Sequence, residues 1–590
     1  MLALAAAGAA AANAWWFKPL SINVFYGRVF LRYVLRDPEL LTSLGVLRPY
    51  GITSPDGRLT DVSDRRLQED QAFIRSELGT LRSYDTTRLS PSQRLSSEIL
   101  DWYLDDLVRG QAFAYHHYTV NAYDGVQSAL PEFIAVNQPV RSAADARRYI
   151  RRLSAFGTKF DQLLEGLRIR DSLGMVPPRI VLDETLSQMR AFVATPPREN
   201  VLYTALAAKL DSAGVEPDER ARLLAAAERE IAGTVYPAYE RLISFEEGLA
   251  ARAGDDVGAW HLPDGDRYYA WALRHYTTTD ISPDSLHSLG LGLVSRIEGE
   301  MTRVLDSLKV PGPDVGSRLR ALAADPRFVY ATDSAGRARF LADATGLVAN
   351  AERRVPAAFG RLPRAAVVVR PVPAFREAAA AGAYYSAPSL DGSRPGIFFV
   401  NLARPPASWQ LPTLVYHEAV PGHHFQIAIA QELSGVPIFR TVIPFTAYIE
   451  GWGLYAERLA YELGLDPDAY SVLGYREAEL LRAVRLVVDT GIHWKRWPRD
   501  RAIAYMAARM ADTADARAEV DRYIVDPGQA CAYMAGELTL LALRDRARRE
   551  LGSAFDLRRF HAVVLENGAM PLFVLERQVD AWIAREQGRR

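Results

Sequence analysis

His417-Glu418-Ala419-Val420-Pro421-Gly422-His423-His424-Phe425-Gln426, followed by Glu450-Gly451-Trp452-Gly453-Leu454-Tyr455-Ala456-Glu457, decides how this chain is read. The chain has ten histidines, and three of them fall within these eight residues from His417 to His424. A lone histidine at a helix end is usually a packing residue. Three together, with a glutamate directly after the first, point to metal chemistry.

The familiar zinc-peptidase pattern is H-E-x-x-H on a helix. Its spacing puts two imidazoles on one face, about 6 Å apart along the axis. The glutamate then faces metal-bound water as a base. Here the second histidine position is Pro421. On a regular helix His423 would lie about 240° round from His417, and His424 about 10.5 Å up the axis. Pro421 has no N–H, and its ring presses on the carbonyl of His417. Gly422 tolerates unusual dihedrals. A bulge of two residues would bring His423 back to the face of His417, with His424 as the alternative ligand. A third ligand leaves a fourth position for water. Glu450 is the candidate, 27 residues beyond His423. That gap suits a helix, a turn and a return helix. Glu457 is placed to orient a histidine from behind. The ligand types suit zinc, one ion, although cobalt, manganese or iron take the same donors.

Around this segment the chain reads as helix. Ser90-Pro91 and Ser282-Pro283 each pair an N-cap side chain with proline at the first helical position. Ser142 and Asp145 resemble a capping box. Residues 216–251 and 467–490 carry helical periodicity. Only Ala365–Arg370 and Gly396–Asn401, with AGAYYSAPSLDGSRPG between them, read as strand and turn. The expected fold is therefore mainly α, with a small sheet just before the zinc-binding helix and a cleft between helical halves. The expected organisation is a signal or anchor over 1–14, an N-terminal helical part over 15–360 and a catalytic part over 361–590.

The net charge of -1, with mixed signs, argues against nucleic acid as a partner. The single cysteine, Cys531, excludes a disulfide framework and a thiolate zinc site, and is expected in the core. Residues 1–14, MLALAAAGAAAANA, carry no charge. They resemble the apolar part of an export signal, with Ala12-Asn13-Ala14 as a cleavage site but no positive n-region. A periplasmic, secreted or membrane-tethered protein is expected, otherwise a cytoplasmic one. His116 and His117 lack an acid at ligand spacing and are read as packing. Asp489 and His493 are four apart and share a helix face. Arg522 is a candidate fork for a substrate carboxylate. The strand at Gly396–Asn401 is expected to hold an extended peptide by edge pairing, with Tyr384 and Tyr385 nearby.

The segment Glu450–Glu457 resembles the Glu-Gly-Phe-Ala…Glu run of gluzincin aminopeptidases, whose first glutamate binds zinc. Gly422-His423 resembles the end of the zinc helix in gluzincin oligopeptidases, and the dipeptidyl peptidase III type tolerates one inserted residue there. More closely, residues 40–585 resemble a bacterial family catalogued as domain of unknown function 885. The landmarks are HEAVPGHHFQ (417–426), EGWGLYAERL (450–459), RLVVDTGIH (485–493), VDRYIVDPGQACAYMAG (520–536) and FHAVVLENGAMPL (560–572). The resemblance to gluzincins implies a peptidase with Glu418 as base and with His493 and Tyr523 binding the oxyanion. A zinc hydrolase of a non-peptide amide or ester, and a non-catalytic helical binding protein with a relic site, are the alternatives.

Overall fold

In a computed structural model the chain is described over residues 13–372, 377, 382–390, 392 and 394–589. It is mainly helical with one three-stranded sheet. Packing divides it into two compact units. The first comprises Met1–Gln93, Tyr103–Asp256 and His261–Pro263; the second comprises Arg94–Trp102, Val257–Trp260 and Asp264–Arg590. The sheet begins at Val367, within the second unit.

In the first unit, helix α1 (Ile22–Val34) buries Phe25, Tyr26, Val29 and Phe30. Helix α2 (Ala143–Ser154) starts where the Ser142 hydroxyl accepts the Asp145 N–H at 3.3 Å. The Asp145 carboxylate turns instead to the Arg141 N–H, so the capping box is half formed. The periodic stretch 216–251 is helical throughout, but a π turn at Ile231–Val235 separates Pro217–Glu230 from α3 (Tyr236–Ala250). The core joins Tyr149, Phe156, Phe160, Met189, Leu206 and Tyr239. His116 belongs to this unit and bonds the Pro263 carbonyl at 2.7 Å through Nε2, a packing role.

In the second unit, α4 (Pro283–Ser307) opens with Ser282 accepting the Ser285 N–H. Three strands follow: β1 (Val367–Pro371), β2 (Ala383–Ser386) and β3 (Gly396–Val400). Their order is β1-β3-β2, with β1 parallel and β2 antiparallel to β3. β3 is thus the central strand, with both sides paired. This corrects the expectation that Gly396–Asn401 offers an edge to a peptide; among the described residues the outer edges belong to β1 and β2. Then come α5 (Leu411–Glu418), α6 (His423–Gln431), α7 (Thr446–Glu462), α8 (Ala469–His493), α9 (Thr513–Val525) and α10 (Ala532–Leu551). α4 lies along α8, and α7 lies along α10.

Glu246, on α3, gives a test of this packing. It is 1% exposed, and its Oε2 has no hydrogen-bond partner among the described residues. Burial pushes its carboxyl up to about 8. Between pH 4.5 and about 8 the folded chain keeps this proton while the unfolded chain loses it, so stability falls as pH rises through that window. Glu246→Gln should flatten that part of the profile and stabilise the chain above it by roughly 1–4 kcal/mol. Thermal melts across the window check this. Parallel profiles for parent and variant would show that the carboxyl is not buried as described.

Candidate metal centre

The helix carrying His417 does not bulge; it ends. α5 stops at Glu418, four residues turn, and α6 starts at His423. The expected two-residue bulge is corrected to a break between two helices. Ala419 (φ -111°, ψ -93°) and Gly422 (φ -78°, ψ -130°) leave helical space. A Cβ on Gly422 would lie 1.8 Å from the His417 carbonyl oxygen, so only glycine lets the turn close. The indole N–H of Trp452 donates to the Pro421 carbonyl at 2.9 Å and ties the turn to α7.

This geometry gathers His417, His423 and Glu450, whose donor atoms lie within 4.8 Å of one another. Nε2 of His423 is 3.4 Å and Nε2 of His417 is 3.7 Å from the same Glu450 oxygen. The two imidazoles meet edge to face at 4.6 Å. Donors bound to a tetrahedral zinc at about 2.1 Å stand about 3.4 Å apart, so the residues present fit a single ion. Two imidazoles and one carboxylate are also the donor set of a zinc site with an open position.

The surroundings support this arrangement. Nδ1 of His417 is 2.6 Å from Glu457 Oε1, which is itself 3.4 Å from Arg482 Nη2. A carboxylate accepts at Nδ1–H, which leaves the Nε2 lone pair for the shared centre. Burial alone would lower the His417 imidazole, but the carboxylates of Glu450 and Glu457 outweigh it and push it up to about 9. Burial would raise Glu450, yet the two histidines hold its carboxyl well below the usual range. The glycines of the Gly-Trp-Gly run make room. A Cβ on Gly453 would lie 2.6 Å from the His417 ring, and one on Gly451 would lie 2.4 Å from Gly536 Cα on α10. Glu418 ends α5 beside the ligands, 9% exposed, with no side-chain partner among the described residues.

His424 points elsewhere. Its Nδ1 accepts from the Tyr385 hydroxyl at 2.9 Å, and its Nε2–H donates to the Ala365 carbonyl at 3.1 Å. Burial pulls it down to about 4, in keeping with a neutral ring. As an alternative ligand it is corrected: it fastens α6 to the sheet. Tyr385 is engaged there too, and Tyr384, on the same strand, stacks on Phe399.

The later residues also differ from expectation. His493 is fully buried and accepts the Ala259 N–H at Nδ1, while its Nε2–H donates to the Tyr523 carbonyl, both at 2.9 Å. With both nitrogens committed to main chain, it is not the expected oxyanion donor. Asp489 makes no bond to it. Asp489 accepts from Tyr269 at 2.6 Å and from the Gly528 N–H, with buried Cys531 alongside. Its expected role behind a histidine is corrected to a buried acid, pushed up to about 7 by burial. The Tyr523 hydroxyl donates to Glu519 at 2.5 Å and accepts from Arg485. Arg522 spends its terminal nitrogens on Gln529 and Glu519. Neither is free for the oxyanion or a substrate carboxylate.

The phenol that sequence reasoning missed is Tyr533, at the start of α10. Burial, then the charge of Glu450, raise its pKa, while Arg485, Arg522 and Arg482 oppose them. The Arg485 guanidinium lies 4.4 Å from its ring centre. It is half-buried, and the charge of Glu450 is among the influences on its hydroxyl. Nothing in its local sequence marks it; it is identified by the arginines of α8 and α9 that surround it.

A family described as "Bacterial protein of unknown function (DUF885)" matches residues 38–579. The chain belongs to this family. Among solved structures, the chain is similar to the "putative lipoprotein" of Colwellia psychrerythraea. It is 30% identical with a TM-score of 0.92, over 95% of this chain and 99% of that one. A "putative lipoprotein of unknown function" from Shewanella oneidensis is 18% identical with a TM-score of 0.71, over 94% and 99%. A PZ peptidase A solved with an inhibitor aligns at a TM-score of 0.31 and 13% identity, over 88% and 97%, too loosely to argue from. No curated protein matches the sequence.

Glu457→Gln tests the support of this DUF885 site. An amide can still meet Nδ1 of His417 but no longer holds its charge, and zinc affinity should fall roughly 10–100-fold. Zinc titration checks this; unchanged affinity would mean that Glu457 does not tune the metal through His417.

Proposed function

We propose that this DUF885 protein is a metal-dependent hydrolase of peptide bonds, acting on short peptides. The observation that carries the reading is the meeting of His417, His423 and Glu450 beside a buried carboxylate, Glu418, that no described residue engages. His417, His423 and Glu450 would hold the ion. A bound zinc supplies Lewis acidity to water and to a carbonyl. Glu418 takes the proton from water at its carboxylate and passes it to the leaving amine. Glu457 keeps the His417 proton on Nδ1, away from the centre. Tyr533 would donate to the developing oxyanion, in place of Tyr523 and His493. β2 packs against α5 and α6 and has an outer edge among the described residues, where an extended peptide can pair. Residues 1–14 and the names of the two relatives together favour an exported, membrane-associated protein. No described helix is long and apolar enough to cross a membrane.

Glu418→Gln should bind zinc as the parent does and lose at least roughly 10²–10⁴-fold in turnover of a fluorogenic peptide. Loss of metal together with activity would instead make Glu418 a ligand, and full activity would remove it as the base. Tyr533→Phe should lower kcat about 10²-fold or more, with zinc affinity and KM little changed. A matched panel of esters and non-peptide amides run alongside decides the substrate class: faster turnover of these would replace the peptidase reading.

A further inference from the structure

The first unit carries an apolar surface that the metal centre does not explain. Nine of the twenty exposed large apolar side chains among the described residues fall between Trp16 and Ile52. Leu20 is 97% exposed, Trp16 73% and Phe17 66%. Val24, Leu31 and Leu35 are about half exposed. Val24, Gly27 and Leu31 are three and four residues apart and follow one outward face of α1, with Leu20 just before the helix and Leu35 at its C-cap. The opposite face is the one that α1 buries, through Phe25, Tyr26, Val29 and Phe30.

An exposed helix face is ordinarily covered with charge. Here the only charged residues of α1 are Arg28 and Arg32, and both turn to Glu77. Arg36, just beyond, pairs with Asp70 at 2.9 Å. Lys18, beside the aromatic pair, donates to the Ser83 carbonyl and lies over Tyr84. Every cation along this stretch is drawn inward or sideways, and the outward stripe is left apolar. Exposed apolar patches of this kind mark contact surfaces.

We propose that this stripe docks on a lipid bilayer, with Trp16 and Phe17 at the headgroup level and Leu20, Val24, Leu31 and Leu35 facing the acyl chains. The proposal rests on the reading of residues 1–14 as an export or tether segment. The argument for a bilayer over another protein is the chain that leads into the stripe. Residues 1–14 are uncharged. Leu20 is six residues beyond Ala14, within roughly 20 Å of extended chain. A tethered N-terminus therefore delivers the stripe to the interface, where aromatic side chains anchor and an apolar helix face lies in the plane. One weak anchor seldom holds a protein at a membrane, and a second apolar contact makes attachment stable.

The test uses the full chain and vesicles of phosphatidylethanolamine and phosphatidylglycerol. The unaltered protein should co-sediment with them. Leu20→Glu with Leu31→Glu should weaken partitioning at least roughly tenfold while residues 1–14 are intact. Ala5→Glu with Ala10→Glu, in the preceding run, should weaken it but leave stripe-dependent binding measurable. Circular dichroism melts verify that each variant folds, and hydrolysis of a soluble peptide should be unchanged in both, which separates this result from the metal reading. A second measurement needs no charge in the stripe: brominated acyl chains should quench the parent more than Trp16→Phe. The proposal is overturned if the parent ignores vesicles, if the stripe variant binds as the parent does, or if Trp16 escapes quenching. It is equally overturned if the stripe variant only converts a soluble dimer to a monomer, which would make a second copy the occupant.

Discussion

The turn from Ala419 to Gly422 is the constraint on which the site depends. Two histidines six positions apart cannot share a face of one helix, and a bulge would still force both onto a common axis. Ending one helix and starting another frees the second imidazole from the axis of the first. The closure is so tight that a Cβ on Gly422 would lie 1.8 Å from the His417 carbonyl oxygen. The same contact fixes the main chain that carries the first ligand. The ligand and the turn are therefore one unit: whatever moves Gly422 moves His417.

α7 holds this unit from the other side, and its run Glu450-Gly451-Trp452-Gly453 has a distinct task at each position. Glu450 joins the two imidazoles. Gly451 lets α7 approach α10 at Gly536. Trp452 bonds the Pro421 carbonyl. Gly453 leaves space for the His417 ring. One turn further, Glu457 reaches Nδ1 of the same ring. Helical spacing explains why one helix does all this: positions 450, 453 and 457 share a face, whereas 451 and 452 look to either side of it.

The meeting of His417, His423 and Glu450 was legible because their chemistry is local and their residue types are rare. Imidazoles beside a proline-glycine pair, and a carboxylate opening an unusual glycine-tryptophan run, can be read without coordinates. The helix starts at Pro91 and Pro283 were legible for the same reason, since a cap is a short-range bond. What sequence could not give was set by long-range partners. His424 is excluded as a ligand by Ala365 and Tyr385, 59 and 39 residues away. His493 is claimed by the main chain of Ala259, 234 residues away. Strand order also escaped, because the chain returns from β2 to place β3 in the middle. Tyr533 escaped because its importance comes from three arginines on two other helices, not from its neighbours in sequence.

Those arginines explain why one tyrosine is free and another is not. Glu519 takes Arg485, Arg522 and the Tyr523 hydroxyl on a single carboxylate. Those cations hold its acid well below the ordinary range. Tyr523 is thereby locked into a buried salt-bridge cluster, and a hydroxyl donating to an ionised acid has no proton to offer elsewhere. The same Arg485 guanidinium lies 4.4 Å from the ring centre of Tyr533, a cation over an aromatic face. Burial and Glu450 oppose ionisation of that phenol. The cluster thus engages the Tyr523 hydroxyl, while at Tyr533 its arginines pull against burial and Glu450. In the hydrolase proposed above, a phenol that keeps its proton would gain most from a negative oxygen forming beside it.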